Sequence, residues 1–183
     1  FYNSFSRTNY NAPVSYNLKD AVSSLIGNGS DFTATLHAEE SVLHGDPALK
    51  INSFPKPDFD IEAQNVIINP TFVSVADNNF KVKCYFYNLG KATGDSVSVL
   101  IQRKFPDGTT AILFSQKIKS VHYIDSVEIT VPVVATRDKG QNTLTVTIDN
   151  DNKYDELSEL NNTVTTNFFI YEDELTPVYP YNF

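Results

Sequence analysis

The sequence predicts an all-β fold: a seven-stranded immunoglobulin-like antiparallel β-sandwich carrying a small helical N-terminal appendage. Three observations lead there. Hydrophobic residues recur with period two from Asp60 onward, where earlier they recur with helical period. The alternation is strict, so each sheet has one wet face and two antiparallel sheets must share one core. Turn signals such as Pro106-Asp107-Gly108 separate runs of similar length, the pattern of a sandwich. The strands are expected near 61–68, 80–88, 96–105, 110–119, 126–133, 143–149 and 163–171.

One face of these runs collects Val82, Cys84 and Phe86; Val97, Val99 and Ile101; Ile112, Phe114 and Ile118; Val127, Ile129 and Val131; Leu144, Val146 and Ile148; and Val164, Phe168 and Ile170. Lys81, Lys83, Ser96, Ser98, Gln102, Glu128, Thr130, Thr143, Thr145 and Thr147 occupy the opposite face. The Cys…Trp…Cys spacing of true immunoglobulin domains is absent, because the chain has 1 Cys and 0 Trp.

Ahead of residue 55 the chain reads differently. Asn17 suits an N-cap with Asp20 three residues on, and Leu18, Ala21, Val22, Leu25 and Ile26 form one helical face that Gly27-Asn28-Gly29 ends. A second helix is expected over about 33–43, and His44-Gly45-Asp46-Pro47 reads as a turn in which Asp46 accepts backbone N–H groups. Leu49-Lys50-Ile51 reads as a short strand. The domain division is therefore 1–54 helical and turn-rich, 55–59 a Pro-rich linker, 60–171 the sandwich, and 172–183 a linker to a following domain. The start at Phe1 without Met suggests a processed or excised piece of a longer protein.

Net charge is −8, which disfavours duplex nucleic acid and anionic membrane, since phosphate neutralisation needs clustered Lys and Arg. No apolar run approaches the roughly 18 residues of a transmembrane helix. With 7 Gly there is no glycine-rich phosphate loop, and 3 His in unrelated contexts assemble no recognisable nucleophile triad. No catalytic residue and no cofactor are therefore assigned.

Cys84 alternates with Val82 and Phe86, so a buried, inert thiol is expected. His37 and His44, near Glu39, Glu40 and Asp46, lack the tight ligand spacing of zinc sites and read as surface and turn residues. The densest chemistry lies between the last two strands, where Asp149, Asp151, Asp155, Glu156 and Glu159 crowd together. Carboxylate oxygens suit calcium, but Lys153 and Tyr154 stand where an EF-hand needs Asp or Asn and then Gly. The reading that the pattern favours is a short helical turn. In it Tyr154, Leu157 and Leu160 would cap the sandwich, the acids would face water, and Asn161 and Asn162 would bond the loop backbone. Asn161-Asn162-Thr163 and Asn28-Gly29-Ser30 also fit the N-glycosylation pattern, which is common by chance.

Asp60-Ile61, Tyr87-Asn88-Leu89-Gly90-Lys91-Ala92, Pro106-Asp107-Gly108 and Asp149…Asn152…Tyr154…Glu156…Glu159…Asn161-Asn162 together resemble the bacterial cell-adhesion-related domain CARDB over roughly 58–171. In Asn88-Leu89-Gly90, Gly90 is expected to take positive φ as the strand leaves the sheet. The resemblance implies an exported, non-catalytic module of large surface proteins. Asn17–Leu25 and Leu43-His44-Gly45-Asp46-Pro47-Ala48-Leu49-Lys50-Ile51 are similar to the end of the catalytic domain of gingipain-type cysteine peptidases. That similarity implies a large exported Bacteroidetes parent with a peptidase domain ahead of the sandwich; the family's catalytic His and Cys have no counterpart here.

The expected function is spacing or stabilising that neighbour, with adhesion as an additional role. The alternative is a carbohydrate- or protein-binding module, with or without a calcium requirement, using outer-face aromatics such as Tyr85, Tyr87, Phe169 and Tyr171. Adjacent domains of the parent are the expected partners, and a homodimer could form through Leu18, Val22 and Leu25.

Overall fold

In the computed structural model, residues 4–27, 32–51 and 54–172 are described. Asn28-Gly29-Ser30 and most of the 172–183 linker fall outside the described residues. Two sheets face each other. In the first, β4 (Asn79–Asn88) lies between β7 (Ile124–Pro132) on one side and β1 (Phe59–Asp60) with β2 (Val66–Asn69) on the other, all antiparallel. The second runs β3 (Val73–Ser74), β9 (Thr163–Tyr171), β8 (Gly140–Ile148), β5 (Ser96–Lys104), β6 (Thr110–Lys119). The inward residues of both form one core that includes Phe59, Phe80, Phe86, Val97, Val99, Ile101, Leu144, Val146, Ile148 and Ile170. Burying a side chain of that size contributes about 1.5–3 kcal/mol.

Among the described residues nine strands replace the expected seven. The run expected over 61–68 is divided, because Ile61 N–H donates across to Asn161 O at 3.1 Å, and a 3-10 turn, Ala63–Asn65, then returns the chain to β2. β3 was not legible: it has two residues, and it pairs in parallel with Ile170 and Tyr171 of β9 rather than antiparallel. A bulge in β6 corrects a second expectation. Ile101 pairs with Phe114 and Gln102 with Ile112, so Leu113 is the extra residue. Leu113, Phe114 and Ile118 pack against the core, while Ile112 is turned out and 62% exposed.

The N-terminal region corrects others. Helix α1 spans Val14–Gly27, so Asn17 lies inside it rather than capping it. Pro13 precedes the first turn, where its missing N–H costs nothing. The free N–H groups of Val14 and Ser15 donate to Leu49 O at 2.9 Å and Pro47 O at 3.2 Å. That is why 49–51 forms no strand: its backbone caps the helix. Asn17 is buried and its Oδ1 accepts from Ser4 Oγ at 3.1 Å. Asp46 Oδ1 accepts from Ala48 N–H at 2.8 Å within the turn, and Gly45 has φ 125°. Helix α2, Phe32–Glu40, is shorter than expected and buries none of its residues. The α1 stripe is consequently only part-covered, with Leu18, Ala21 and Val22 half-buried and Leu25 and Ile26 exposed.

Gly90 is required for a reason other than the expected one. Its φ is not positive; instead a Cβ there would lie 2.3 Å from Lys56 O, 2.8 Å from Pro57 C and 2.9 Å from Asp58 N. Leu89 and Lys91 donate to Asp58 O and Lys56 O at 2.8 Å, so the approach is backbone against backbone. Gly90→Ala is expected to destabilise the chain by about 1–3 kcal/mol in urea unfolding. Gly94→Ala, which meets nothing within 4 Å, should stay within about 0.5 kcal/mol.

Candidate functional site

The 149–162 crossover contains no helix, and its acids do not simply face water. Asp149 and Asn152 take left-handed backbone, φ 52° and 50°, which short polar side chains tolerate. Asp149 is buried, its carboxylate accepting Lys153 N–H at 3.2 Å and Tyr154 N–H at 2.9 Å, and burial pushes its pKa up. Asp151 accepts from Ser98 Oγ at 2.6 Å and pairs with Lys117 at 2.9 Å, which holds it down at about 2. Asp155 pairs with Lys56 at 2.6 Å on the surface. Tyr154 packs edge-on against Phe59 at 5.5 Å between ring centroids and donates to Ser96 O at 3.1 Å. Leu157 and Leu160 do not cap the sandwich; they are 40% and 95% exposed.

Glu156 closes the loop onto β1. Its Oε2 accepts Phe59 N–H at 2.5 Å and its Oε1 accepts Asn162 Nδ2 at 2.8 Å. Asn162 Nδ2 also reaches Glu159 Oε2 at 3.2 Å, and Asn161 Nδ2 donates to Asp58 Oδ1 at 3.2 Å. The two asparagines therefore bind carboxylates rather than the loop backbone. Asn88 completes the grip from β4: its Oδ1 accepts Asp58 and Gly90 N–H groups at 3.1 and 3.0 Å, and its Nδ2 donates to Lys91 O at 3.1 Å and Val121 O at 3.0 Å. Residues 56–59 are thus held along their length, since Pro57 O also accepts Leu157 N–H at 2.9 Å.

Burial pushes the Glu156 carboxyl up to about 7, outweighing the two donors that favour its ionised form. A folded pKa above the unfolded value means the folded state holds the proton more tightly. The stabilisation is complete below the unfolded value and is lost as pH rises through about 7. The melting temperature is expected to fall between pH 5 and pH 7.5, and Glu156→Gln should flatten that slope. Asp151, Asp138 and Asp107, held low, act with the opposite sign only at more acid pH.

As a cation site the loop has few free oxygens. Among the described residues no three His, Cys, Asp or Glu side chains are placed to hold a metal ion; His37, His44, Glu39, Glu40 and Asp46 are exposed and do not converge. Asn161 Oδ1 and Asn162 Oδ1 are buried without a hydrogen-bond partner.

The sequence reading missed a buried charge at the other end of the sandwich. Arg103, 1% exposed, pairs with Asp138 at 3.2 Å. Its Nε and Nη2 donate to Asn142 Oδ1 at 3.1 and 2.9 Å, and Asn142 Nδ2 in turn donates to Asp138 O and Gly140 O. The guanidinium lies 4.7 to 5.5 Å from the rings of Phe105, Phe80 and Phe168. Arg103 continues the inward series Val97, Val99, Ile101, so the signal was present in the alternation.

The four outer-face aromatics divide. Tyr85 and Tyr87 lie on β4, with Lys83 over the Tyr85 ring at 4.8 Å and Tyr123 6.2 Å from Tyr87. Phe169 and Tyr171 lie on β9 in the other sheet, 4.9 Å apart, with the unforeseen Phe72 at 6.0 Å from Tyr171. Cys84 is fully buried, and burial pushes its thiol up to about 12. No helix among the described residues is long and apolar enough to cross a membrane.

The sequence is matched by the CARDB family model over residues 56–166. Comparison with curated proteins finds no match. Among solved structures the chain is similar to the CARDB domain of the PF1109 protein from Pyrococcus furiosus, crystallised in complex with di-metal ions. Identity is 21%, coverage 66% of this chain and 98% of that one, and the TM-score 0.51. It is also similar to the 272–376 domain of a candidate cell surface protein from Methanosarcina acetivorans, at 24% identity, 66% and 96% coverage and TM-score 0.46. This two-sheet sandwich, matched by the family model over more than half the length of the chain, belongs to the CARDB family.

Proposed function

We propose that this chain is a non-catalytic module of a large exported bacterial surface protein, which spaces or stabilises an adjacent gingipain-type cysteine peptidase domain and adds adhesive surface. The observation that carries the reading is the grip on residues 56–59. Asn88, Glu156, Leu157 and Lys91 bond that segment, so the chain enters the sandwich along a fixed path. A spacer that sets the position of its neighbour needs such a stiff entrance. The N-terminal segment supports it through the α1 stripe. Exposed Leu25, with half-buried Leu18 and Val22, presents an apolar face that the peptidase core, or a second copy of the chain, would cover.

Reading the parent gene ahead of Phe1 is the direct test. A domain with the peptidase-type His and Cys is expected there; any other neighbour overturns the peptidase part of the reading. The pure chain should not cleave peptide substrates, because its one thiol is buried and un-ionised.

A second reading is a calcium-assisted binding module, favoured by the two unpartnered amide oxygens beside Glu156, Glu159 and Asp58. Against it, Asp149, Asp151, Asp155 and Glu156 already have protein partners. Millimolar calcium is therefore expected to leave the melting temperature nearly unchanged. A rise of several degrees, removed by Glu159→Gln, would establish the site, because a ligand that binds only the folded state stabilises it by mass action.

A further inference from the structure

The outer face of the five-stranded sheet carries a continuous surface running from rings to polar groups. Phe72, Tyr171 and Phe169 form a stepped row, 74%, 46% and 47% exposed, their neighbouring planes tilted by 50° and 52°. Gln141 is the cross-strand partner of Phe169, and Thr143 that of Asn167, with Thr143 Oγ1 donating to Asn167 Oδ1 at 2.7 Å. Gln141 and Thr143 also line an open cleft of about 380 Å³, closed on its far side by Lys104, Phe105 and the Pro106-Asp107-Gly108 turn. Row and cleft therefore meet at Gln141.

Beside the rings the outward side chains of β8 and β9 are amides and hydroxyls: Gln141 and Asn167 exposed, Thr143 and Thr145 half-buried. A protein-binding patch of this size would centre on aliphatic and aromatic anchors with a polar rim. Rings standing among hydroxyl and amide groups suit a ligand with both C–H faces and many hydroxyls, and an oligosaccharide has both. Charge narrows the class further. The chain carries net −8, yet Lys104, Arg137 and Lys139 gather at this end of the sheet above the buried Arg103. Lys139 pairs with Glu172 and Arg137 shares Asp138 with Arg103, whereas Lys104 has no ion-pair partner among the described residues. The Asp107 carboxylate is occupied by Thr109 N–H and Oγ1 at 2.8 and 2.6 Å.

We propose that Phe72, Phe169 and Tyr171, with Gln141 and Lys104, form a binding site for an acidic oligosaccharide, the rings stacking on sugar faces and Lys104 meeting a carboxylate. The site is independent of the spacing role, since it lies on the sheet remote from residues 56–59.

The test is a titration of the full chain with the hexamer of galacturonate, and with cellohexaose as neutral control, followed by amide NMR and calorimetry. The acidic hexamer is expected to bind with Kd below about 1 mM and to shift the amides of 141–143 and 169–171. Phe169→Ala and Tyr171→Ala should each weaken it about tenfold. Lys104→Gln should weaken it and remove most of its salt dependence. The melting temperatures of these variants check that the fold is retained. Absence of shifts at these amides with about 5 mM hexamer, equal binding of cellohexaose, or folded ring variants that bind like the native chain would each overturn the proposal.

Discussion

Asp138→Ala is expected to destabilise the sandwich by about 3–5 kcal/mol, a large part of a domain's total stability. The size comes from what is left behind. Arg103 has 1% of its side chain exposed, so removing its counter-charge strands a guanidinium among Phe80, Phe105 and Phe168 with only the Asn142 amide oxygen to receive its protons. The change also removes the acceptor for Val134 N–H, at 2.9 Å, and the partner of Arg137, at 2.6 Å. Burial by itself would raise the Asp138 carboxyl, but these donors and the Arg103 charge together hold it low. Its contribution is therefore present above the unfolded carboxylate value and lost as pH falls through the lower folded one. Replacing both partners, Arg103→Met with Asp138→Leu, should recover much of the loss, since an apolar pair of similar volume carries no desolvation cost. Urea unfolding of the single and double variants measures the coupling; additive losses would show that the pair does not act as a unit.

Cys84→Asp is expected to cost several kcal/mol or to abolish folding, because it forces a carboxylate, or its protonated form, into the core between Val82 and Phe86. Cys84 pairs in register with Val66 on one side and Val127 on the other, so no solvent reaches it from either neighbouring strand. The raised thiol value, about 12, follows from the same burial. A bulky thiol reagent should therefore label the native chain only as fast as it opens, and at once in denaturant. Cys84→Ala, which leaves a small void and no polar group, should be much milder and is the control. Rapid labelling of the folded chain would place the thiol outside the core.

What the sequence by itself determined is the part of the fold that repeats. Alternation over residues 80–88, 96–105 and 163–171 placed Val82, Phe86, Val97, Ile101 and Ile170 inside, because a strand's period of two leaves only one way to bury them. It marked the 149–162 crossover as the densest cluster of polar chemistry, and it put Cys84 in the core. The same parity carried Arg103 inward, but parity names a face and not a partner.

The tertiary structure decided everything that depends on residues distant in sequence. Asp138 reaches Arg103 only once β8 pairs with β5, and Glu156 reaches Phe59 N–H across 97 positions only once the sheets are stacked. The bulge at Leu113 turned Ile112 to solvent, a single inserted residue that alternation alone does not register. Asn17 became a buried hydrogen-bonding residue because Pro13 and the 47–49 backbone had already capped the helix, and Gly90 proved necessary for the closeness of Lys56 and Pro57 rather than for positive φ. Phe72, in a turn with no period of its own, joined Tyr171 only through the two-residue parallel pairing of β3 with β9. Local pattern specifies which side of a strand meets the core; which groups meet there is settled by register, crossover and packing between elements far apart in the chain.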